Sequence, residues 1–165
     1  MRIRLPYLLF FLVLVFLDQV TKLTVAARYS EGESLNIIGD YLRLTYVRNP
    51  GAAFSLSFGG PQIMFAMTVF VIVLLIFLYV RGSVRPQTVP GKIALLLVFA
   101  GAVGNLIDRC RLFEVIDFIE MGIGRYRWPV YNFADIFITF GTILLFLSYA
   151  TGREPSGEIQ PPAPE

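Results

Sequence analysis

Two aspartates stand out for their surroundings. Asp117 lies within Val115-Ile116-Asp117-Phe118-Ile119, and Asp135 within Tyr131-Asn132-Phe133-Ala134-Asp135-Ile136-Phe137, both acids set in apolar runs. A single acid buried this way raises its pKa and becomes neutral. Two acids that meet in one apolar pocket can share a proton, leaving one ionised and one neutral near physiological pH. Such a pair meets the needs of amide hydrolysis. The carboxylate takes a proton from water as the water attacks the carbonyl, while the neutral acid donates to the developing oxyanion. A proton then reaches the leaving amine. Nearby amides such as Asn105 and Asn132 are suited to orienting carboxylates or substrate, and Arg109 to stabilising negative charge.

The rest of the chain narrows the choice. It has no histidine and a single cysteine, Cys110. Ser-His and Cys-His pairs, most zinc sites and an intramolecular disulfide are therefore excluded. A Ser-Lys pair from Lys22 with Ser55 or Ser57 has nothing beyond presence in its favour. Cys110 lies between Arg109 and Arg111, where a thiol pKa would fall, but it has no base partner. A net charge of +2 with scattered basic residues gives no footprint for nucleic acid.

The elements that must position these residues belong to a membrane. Hydrophobic residues make up 56% of the 165 and charged residues 16%, too much apolar surface for a soluble domain of this size. Spanning a bilayer takes about 20 mostly apolar residues as a helix. Four stretches qualify, at residues 5–27, 62–80, 92–107 and 130–150, with Pro129 placed as a helix-start residue for the last. The first has a rival reading as a secretory signal peptide, with Arg2 and Arg4 ahead of an apolar run. Continuation of that run past Asp18 to Ala27, and the spans that follow it, favour a membrane helix.

Between the first two spans, residues 28–60 alternate like a strand at Tyr41-Leu42-Arg43-Leu44-Thr45-Tyr46-Val47. The expected fold is an all-α membrane protein of four transmembrane helices, with a small extramembrane β-rich segment between helices 1 and 2. Residues 108–129 mix charge with aromatics and are expected to include a short interfacial helix. Tyr126, Trp128 and Tyr131 suit an interfacial belt. Gly101-Ala102-Val103-Gly104 suits close helix packing. A single four-helix transmembrane domain is expected over 1–151, followed by a disordered Pro-rich tail at 152–165.

Parity then collects the polar residues on one face of the membrane. Asp18 and Lys22 end span one at i,i+4 spacing, and Asn49 lies in the first long loop. Asn105, Asp108 and Arg109 end span three on one helical face; Asp117 follows, and Asn132 and Asp135 open span four. Ionisable residues inside membrane spans are costly and by default face the bundle interior. Asp18 with Lys22 also reads as a structural ion pair, and Asp108 with Arg109 as a boundary anchor. Positive charge on loops gives only a weak preference for both termini inside, because the opposite side also carries many basic residues.

Five segments together resemble the lipoprotein signal peptidases, the signal peptidase II family. Asp18-Gln19-Val20-Thr21-Lys22 is similar to the DQxTK box, and Asn49-Pro50-Gly51-Ala52-Ala53-Phe54 to NxGxAF. Gly104-Asn105-Leu106-Ile107-Asp108-Arg109 resembles GNxxDR, Val115-Ile116-Asp117-Phe118 the V-V/I-D-F box, and Tyr131-Asn132-Phe133-Ala134-Asp135 FNxAD. Ala102 stands where the family often has glycine, and Tyr131 where phenylalanine is common.

The resemblance implies a membrane-embedded aspartic endopeptidase that acts on bacterial prolipoproteins, cutting before a diacylglyceryl-modified cysteine, with no metal or cofactor. It implies that Asp117 and Asp135 are the catalytic dyad. Asn105, Arg109 and Asn132 fall at positions associated with substrate or inhibitor contact. Asp18, Lys22, Asn49 and Gly51 match supporting positions, and Asp108 a more structural one. It further implies a multi-pass protein of the bacterial cytoplasmic (inner) membrane, with both termini cytoplasmic and the site near the outer face. The partners are then membrane lipid and lipid-anchored substrate, with a monomer sufficient. Two other classes are compatible with intramembrane acids: a small transporter or proton relay, and a non-catalytic scaffold. A transporter predicts acids at mid-depth and inverted repeats; a scaffold would tolerate Asp117→Asn and Asp135→Asn.

Overall fold

The computed structural model describes residues 4–51, 60–82, 84, 86 and 88–151. In chain order the elements are α1 (Leu5–Arg28), β1 (Ser34–Ile38), β2 (Leu42–Asn49), α2 (Pro61–Arg81), α3 (Val89–Leu112), β3 (Val115–Ile123), β4 (Tyr126–Arg127) and α4 (Phe133–Thr151). The four helices among the described residues are each long and apolar enough to cross a membrane. At about 1.5 Å rise per residue each reaches roughly the 30 Å of a bilayer's hydrocarbon core.

Helix α3 is the central post. Its small residues Ala94, Ala100, Gly101, Ala102 and Gly104 are all buried, so neighbouring backbones approach closely. A Cβ on Gly101 would collide with the carbonyl of Ala134 in α4. One on Gly104 would lie 2.5 Å from Asp18 Oδ2 in α1. The small-residue reading of this segment is therefore borne out. Leu14 of α1, Ala100 of α3 and Phe137 of α4 form the apolar centre of this packing. Helix α2 buries only Met64 and turns Phe70, Val73 and Val80 outward. Side chains this apolar have lipid as their natural solvent.

The strands form one antiparallel sheet in the order β1-β2-β3-β4. Hairpin β1–β2 comes from the α1–α2 connection and hairpin β3–β4 from the α3–α4 connection. Pairing of β2 with β3 joins the two connections, with Val47 opposite Asp117 and Asn49 opposite Val115. The sheet rests on α1 through Val25, Tyr46, Ile116 and Phe118. The strand expected at 41–47 is therefore present, and the sheet extends beyond the α1–α2 segment.

Three boundaries differ from expectation. Residues 108–129 carry the end of α3 and two strands, with no interfacial helix among them. The first four residues of β3 are all buried, so the in-out alternation that marks a half-buried strand is missing. Helix α4 begins at Phe133, so Pro129 belongs to the connection from β4. Helix α3 runs longer than 92–107 because its last turns carry Asn105, Asp108 and Arg109 inward, where a hydropathy reading breaks off. The Pro-rich tail at 152–165, and Ser55 and Ser57, lie outside the described residues.

The turn out of α3 matters for the site. Phe113 takes the left-handed conformation (φ 57°) at the helix C-cap, a place usually given to glycine. Strain of about 1 kcal/mol is typical there for a residue with a Cβ. Its ring packs edge-on against Phe65 of α2, with centroids 6.2 Å apart, which helps to offset that cost. The chain then enters β3 with Asp117 two residues in from Val115.

Candidate active site

The site begins at the start of α4. Asn132 immediately precedes the helix, and its side-chain Oδ1 accepts the Asp135 N–H at 3.0 Å. Asp135 Oδ2 accepts the Asn132 N–H at 3.2 Å in return. This reciprocal cap satisfies amides that a helix start leaves unpaired, and it locks the Asp135 rotamer to the backbone. The remaining arm of Asn132, its Nδ2, donates to Asp117 Oδ1 at 2.6 Å. One fully buried asparagine thus ties together the two acids singled out from sequence.

Each acid has a second amide. Asn49 Nδ2 donates to Asp117 Oδ2 at 2.9 Å, and its own Oδ1 accepts the Gly51 N–H at 2.9 Å. Asn105 Nδ2 donates to Asp135 Oδ1 at 2.8 Å. Arg109 donates to the Gly51 carbonyl at 3.4 Å and is close enough to both acids to feel their charge. Asp117 is only 3% exposed. Burial, reinforced by the charge of Asp135, pushes the Asp117 carboxyl up to about 7, against the pull of the two amides and of Lys22. Near neutral pH this carboxyl therefore sits at the balance between acid and carboxylate.

Asp117, Asp135, Asn49, Gly51, Asn105 and Arg109 line one part of a cavity of about 1620 Å³. The remainder is walled by the sheet and its aromatics, Tyr41, Tyr126 and Trp128, and by Ile136, Thr139 and Phe140 of α4. The lining thus combines the polar groups of the site with aromatic and aliphatic side chains of the sheet and of α4. Its scale and mixed lining suit an extended, partly apolar substrate.

Asp18, Lys22 and Asp108 lie apart from the cavity as a fully buried cluster. Lys22 Nζ pairs with Asp18 at 3.0 Å and Asp108 at 2.9 Å. The i,i+4 pairing of Asp18 with Lys22 is borne out, and Asp108 takes Lys22 as its ion-pair partner. Sequence reasoning did not single out Gln19. Its Nε2 reaches the Gly104 carbonyl at 3.1 Å, Asp108 Oδ1 at 3.2 Å and Asp18 Oδ2 at 3.1 Å, bracing the cluster. The signals available were its place in the DQxTK resemblance and its i,i+3 spacing from Lys22, which sets both on neighbouring positions of α1. Tyr126 and Trp128, expected as a belt, are largely exposed and wall the cavity.

Four membrane-length helices and a sheet that joins two of their connections define the fold of a polytopic membrane protein, with Asp117 and Asp135 lining one cavity. Comparison with known proteins agrees. Residues 10–151 match the family model described as signal peptidase (SPase) II. The chain is 41% identical over 146 residues to a lipoprotein signal peptidase of Syntrophus aciditrophicus, covering 85% of this chain and 91% of that protein. It is 39% identical over 155 residues to one from Moorella thermoacetica, covering 91% and 99%. A bacterial membrane enzyme solved by the in meso method at 2.3 Å superposes with a TM-score of 0.80 at 32% identity, covering 93% of this chain and 92% of that one. The chain belongs to the signal peptidase II family.

Proposed function

We propose that this protein removes signal peptides from prolipoproteins at the membrane, cutting before a diacylglyceryl-modified cysteine with Asp117 and Asp135 as its catalytic pair. The observation that carries the reading is Asn132, which caps α4 with Asp135 while holding Asp117 at 2.6 Å, so both acids face one cavity. Asp135 is the base. It lies in the first turn of α4, whose dipole complements negative charge, and Arg109 is near. Asp117 is the acid, since its deeper burial and raised pKa keep a proton available near neutrality.

In the first step Asp135 takes a proton from water as the oxygen attacks the scissile carbonyl. Asp117 donates its proton to the carbonyl oxygen, giving a tetrahedral diol and an ionised Asp117. In the second step Asp135 passes its proton to the leaving nitrogen, the C–N bond breaks, and Asp117 recovers a proton from the diol. The enzyme returns to its starting state with one water consumed. Asn105 and Asn132 act as positioning groups, each holding a carboxylate oxygen so that the other faces of the dyad remain open to water and substrate. Arg109, bonded to the Gly51 carbonyl, adds positive charge beside the developing oxyanion.

We place both termini on the cytoplasmic side and the cavity at the outer face. Both hairpins arise from the connections on one side of the bundle, and the α2–α3 connection on the other side carries Arg81 and Lys92 at its flanks. The cavity flank along Ile136, Thr139 and Phe140 suits lateral entry of a lipid-anchored peptide. The test is cleavage of a diacylglyceryl-modified prolipoprotein by detergent-purified protein in the presence of a metal chelator. Wild type should cleave, and Asp117→Asn and Asp135→Asn should lose nearly all turnover while remaining folded. Near-normal turnover by either variant would remove the dyad and leave a transporter or scaffold role to be tested.

A further inference from the structure

The cluster around Lys22 has more order than a stray buried ion pair needs. An ammonium has three N–H donors and no acceptor. Lys22 Nζ meets three acceptors: Asp18 Oδ2 at 3.0 Å, Asp108 Oδ2 at 2.9 Å and Asn105 Oδ1 at 2.8 Å. Every donor is matched in a position with no solvent exposure.

Each of the three partners leads to the dyad. Asp18 uses its other oxygen, Oδ1, to accept the Ala134 N–H at 2.9 Å, the residue before Asp135. Asp108 Oδ2 also accepts the Ile116 N–H at 3.3 Å, the residue before Asp117. Asn105 donates its Nδ2 to Asp135 Oδ1 at 2.8 Å. With its Oδ1 held by the ammonium, the Asn105 amide cannot flip, and its N–H must face Asp135. The three arms thus end on the α4 backbone, on the β3 backbone and on a dyad side chain.

We propose that Lys22 is a positioning residue: a single ammonium through which α1, α3, β3 and α4 fix the separation and orientation of Asp117 and Asp135. This rests on the dyad reading above and deepens it. Lys22 does not line the cavity, and its three donors are fully engaged, so it takes no proton from water or substrate. Cost agrees with such a role. Burying one ammonium among two carboxylates gains little stability compared with an apolar core of the same volume, so the arrangement earns its place through geometry.

A merely structural cluster and a positioning hub differ in what they do to kinetics. Two variants make the comparison. Lys22→Met removes the hub. The triple variant Asp18→Asn/Lys22→Met/Asp108→Asn also removes the two carboxylate charges that Lys22→Met strands, while keeping oxygens able to accept the Ala134 and Ile116 N–H groups. It therefore tests the idea if Lys22→Met fails to fold. Steady-state cleavage of a diacylglyceryl lipopeptide in micelles is measured together with the helical signal and melting temperature of each protein.

The hub predicts that a folded variant loses about 100-fold in kcat, the scale expected of an ångström-level misplacement, while KM stays within about threefold. A folded variant with kcat within about threefold of wild type overturns the proposal. So does a loss that appears in KM alone, since that reports damage to binding. Failure of both variants to give a helical, cooperatively melting protein assigns Lys22 to folding and overturns it too. Asp117→Asn and Asp135→Asn measured alongside keep the two ideas separate. If they retain turnover, the dyad reading falls; if they are inactive while the Lys22 variants are not, only the hub falls.

Discussion

The Asp117 carboxyl makes the pH dependence of the reaction calculable. In the proposed mechanism Asp117 is the acid of the pair and must enter the reaction protonated. Its pKa of about 7 in the unliganded protein sets the alkaline limb of kcat/KM, which reports the free enzyme. Below that value most molecules hold the proton; above it each pH unit removes nearly a factor of ten. Between pH 6 and pH 8 the competent fraction falls from about nine-tenths to about one-tenth, so kcat/KM should drop by about tenfold. The limb belongs to the coupled pair, since the charge of Asp135 is one of the causes that raise Asp117. Its position can be moved in a known direction. Asn49 donates to Asp117 at 2.9 Å and favours the ionised form, so Asn49→Ala should raise the pKa further and carry the limb to higher pH. The assay is initial-rate cleavage of a fluorogenic lipopeptide with no groups titrating between pH 5 and 9, in uncharged detergent. A flat profile from pH 6 to pH 8, or a limb that moves down in Asn49→Ala, would refute the assignment of Asp117 as the acid.

The same shift links to stability. The unfolded chain releases this proton near 3.8 and the folded chain near 7, so the group's contribution is full below 3.8 and is lost as pH rises through 7. The melting temperature in detergent should therefore fall over that window, and a smaller fall in Asp117→Asn would identify the group. Asn132→Ala removes both the α4 cap and the 2.6 Å bond to Asp117. It should cost about 1 kcal/mol of stability and at least 100-fold in kcat, read by thermal melts and cleavage rates. Gly104→Ala puts a methyl 2.5 Å from Asp18 Oδ2 and should destabilise by about 1–3 kcal/mol, measured as a lowered melting temperature. Arg48→Ala breaks an ion pair with Glu114 at 2.8 Å between side chains that are each about one-third exposed. It should change stability by less than about 1 kcal/mol, and a larger change in the melt would show that this pair anchors the sheet.

The spans and the identity of the acids were legible in the sequence because both are local properties. A membrane helix is a run of apolar residues of fixed length, and the observed helices begin and end within a few residues of the expected stretches, apart from α3. There the inward-facing Asn105, Asp108 and Arg109 conceal a helix that continues to Leu112. Helical spacing identified the Asp18–Lys22 pair, since i and i+4 meet on any helix. Alternation also revealed β2, whose Tyr46 and Leu44 join the core against α1. Acids embedded in apolar runs are conspicuous wherever the chain places them.

Tertiary structure alone decided what those residues touch. β3 was missed because its opening residues are buried on both sides, which erases the period-two signal; its pairing with β2 joins residues 68 apart, Asn49 and Asp117 among them. That Asn132 bridges the two acids depends on a cap at α4 and on a strand beginning after a left-handed turn at Phe113, two features that meet only when α3 and α4 pack. The Lys22 contacts to Asn105 and Asp108 of α3, and the onward bonds to β3 and α4, span separations that no local pattern encodes. Periodicity tells which way a side chain faces along its own element. Which groups share a buried hydrogen bond is set by the close approach of elements distant in the chain, and here by glycines at 101 and 104 small enough to permit it.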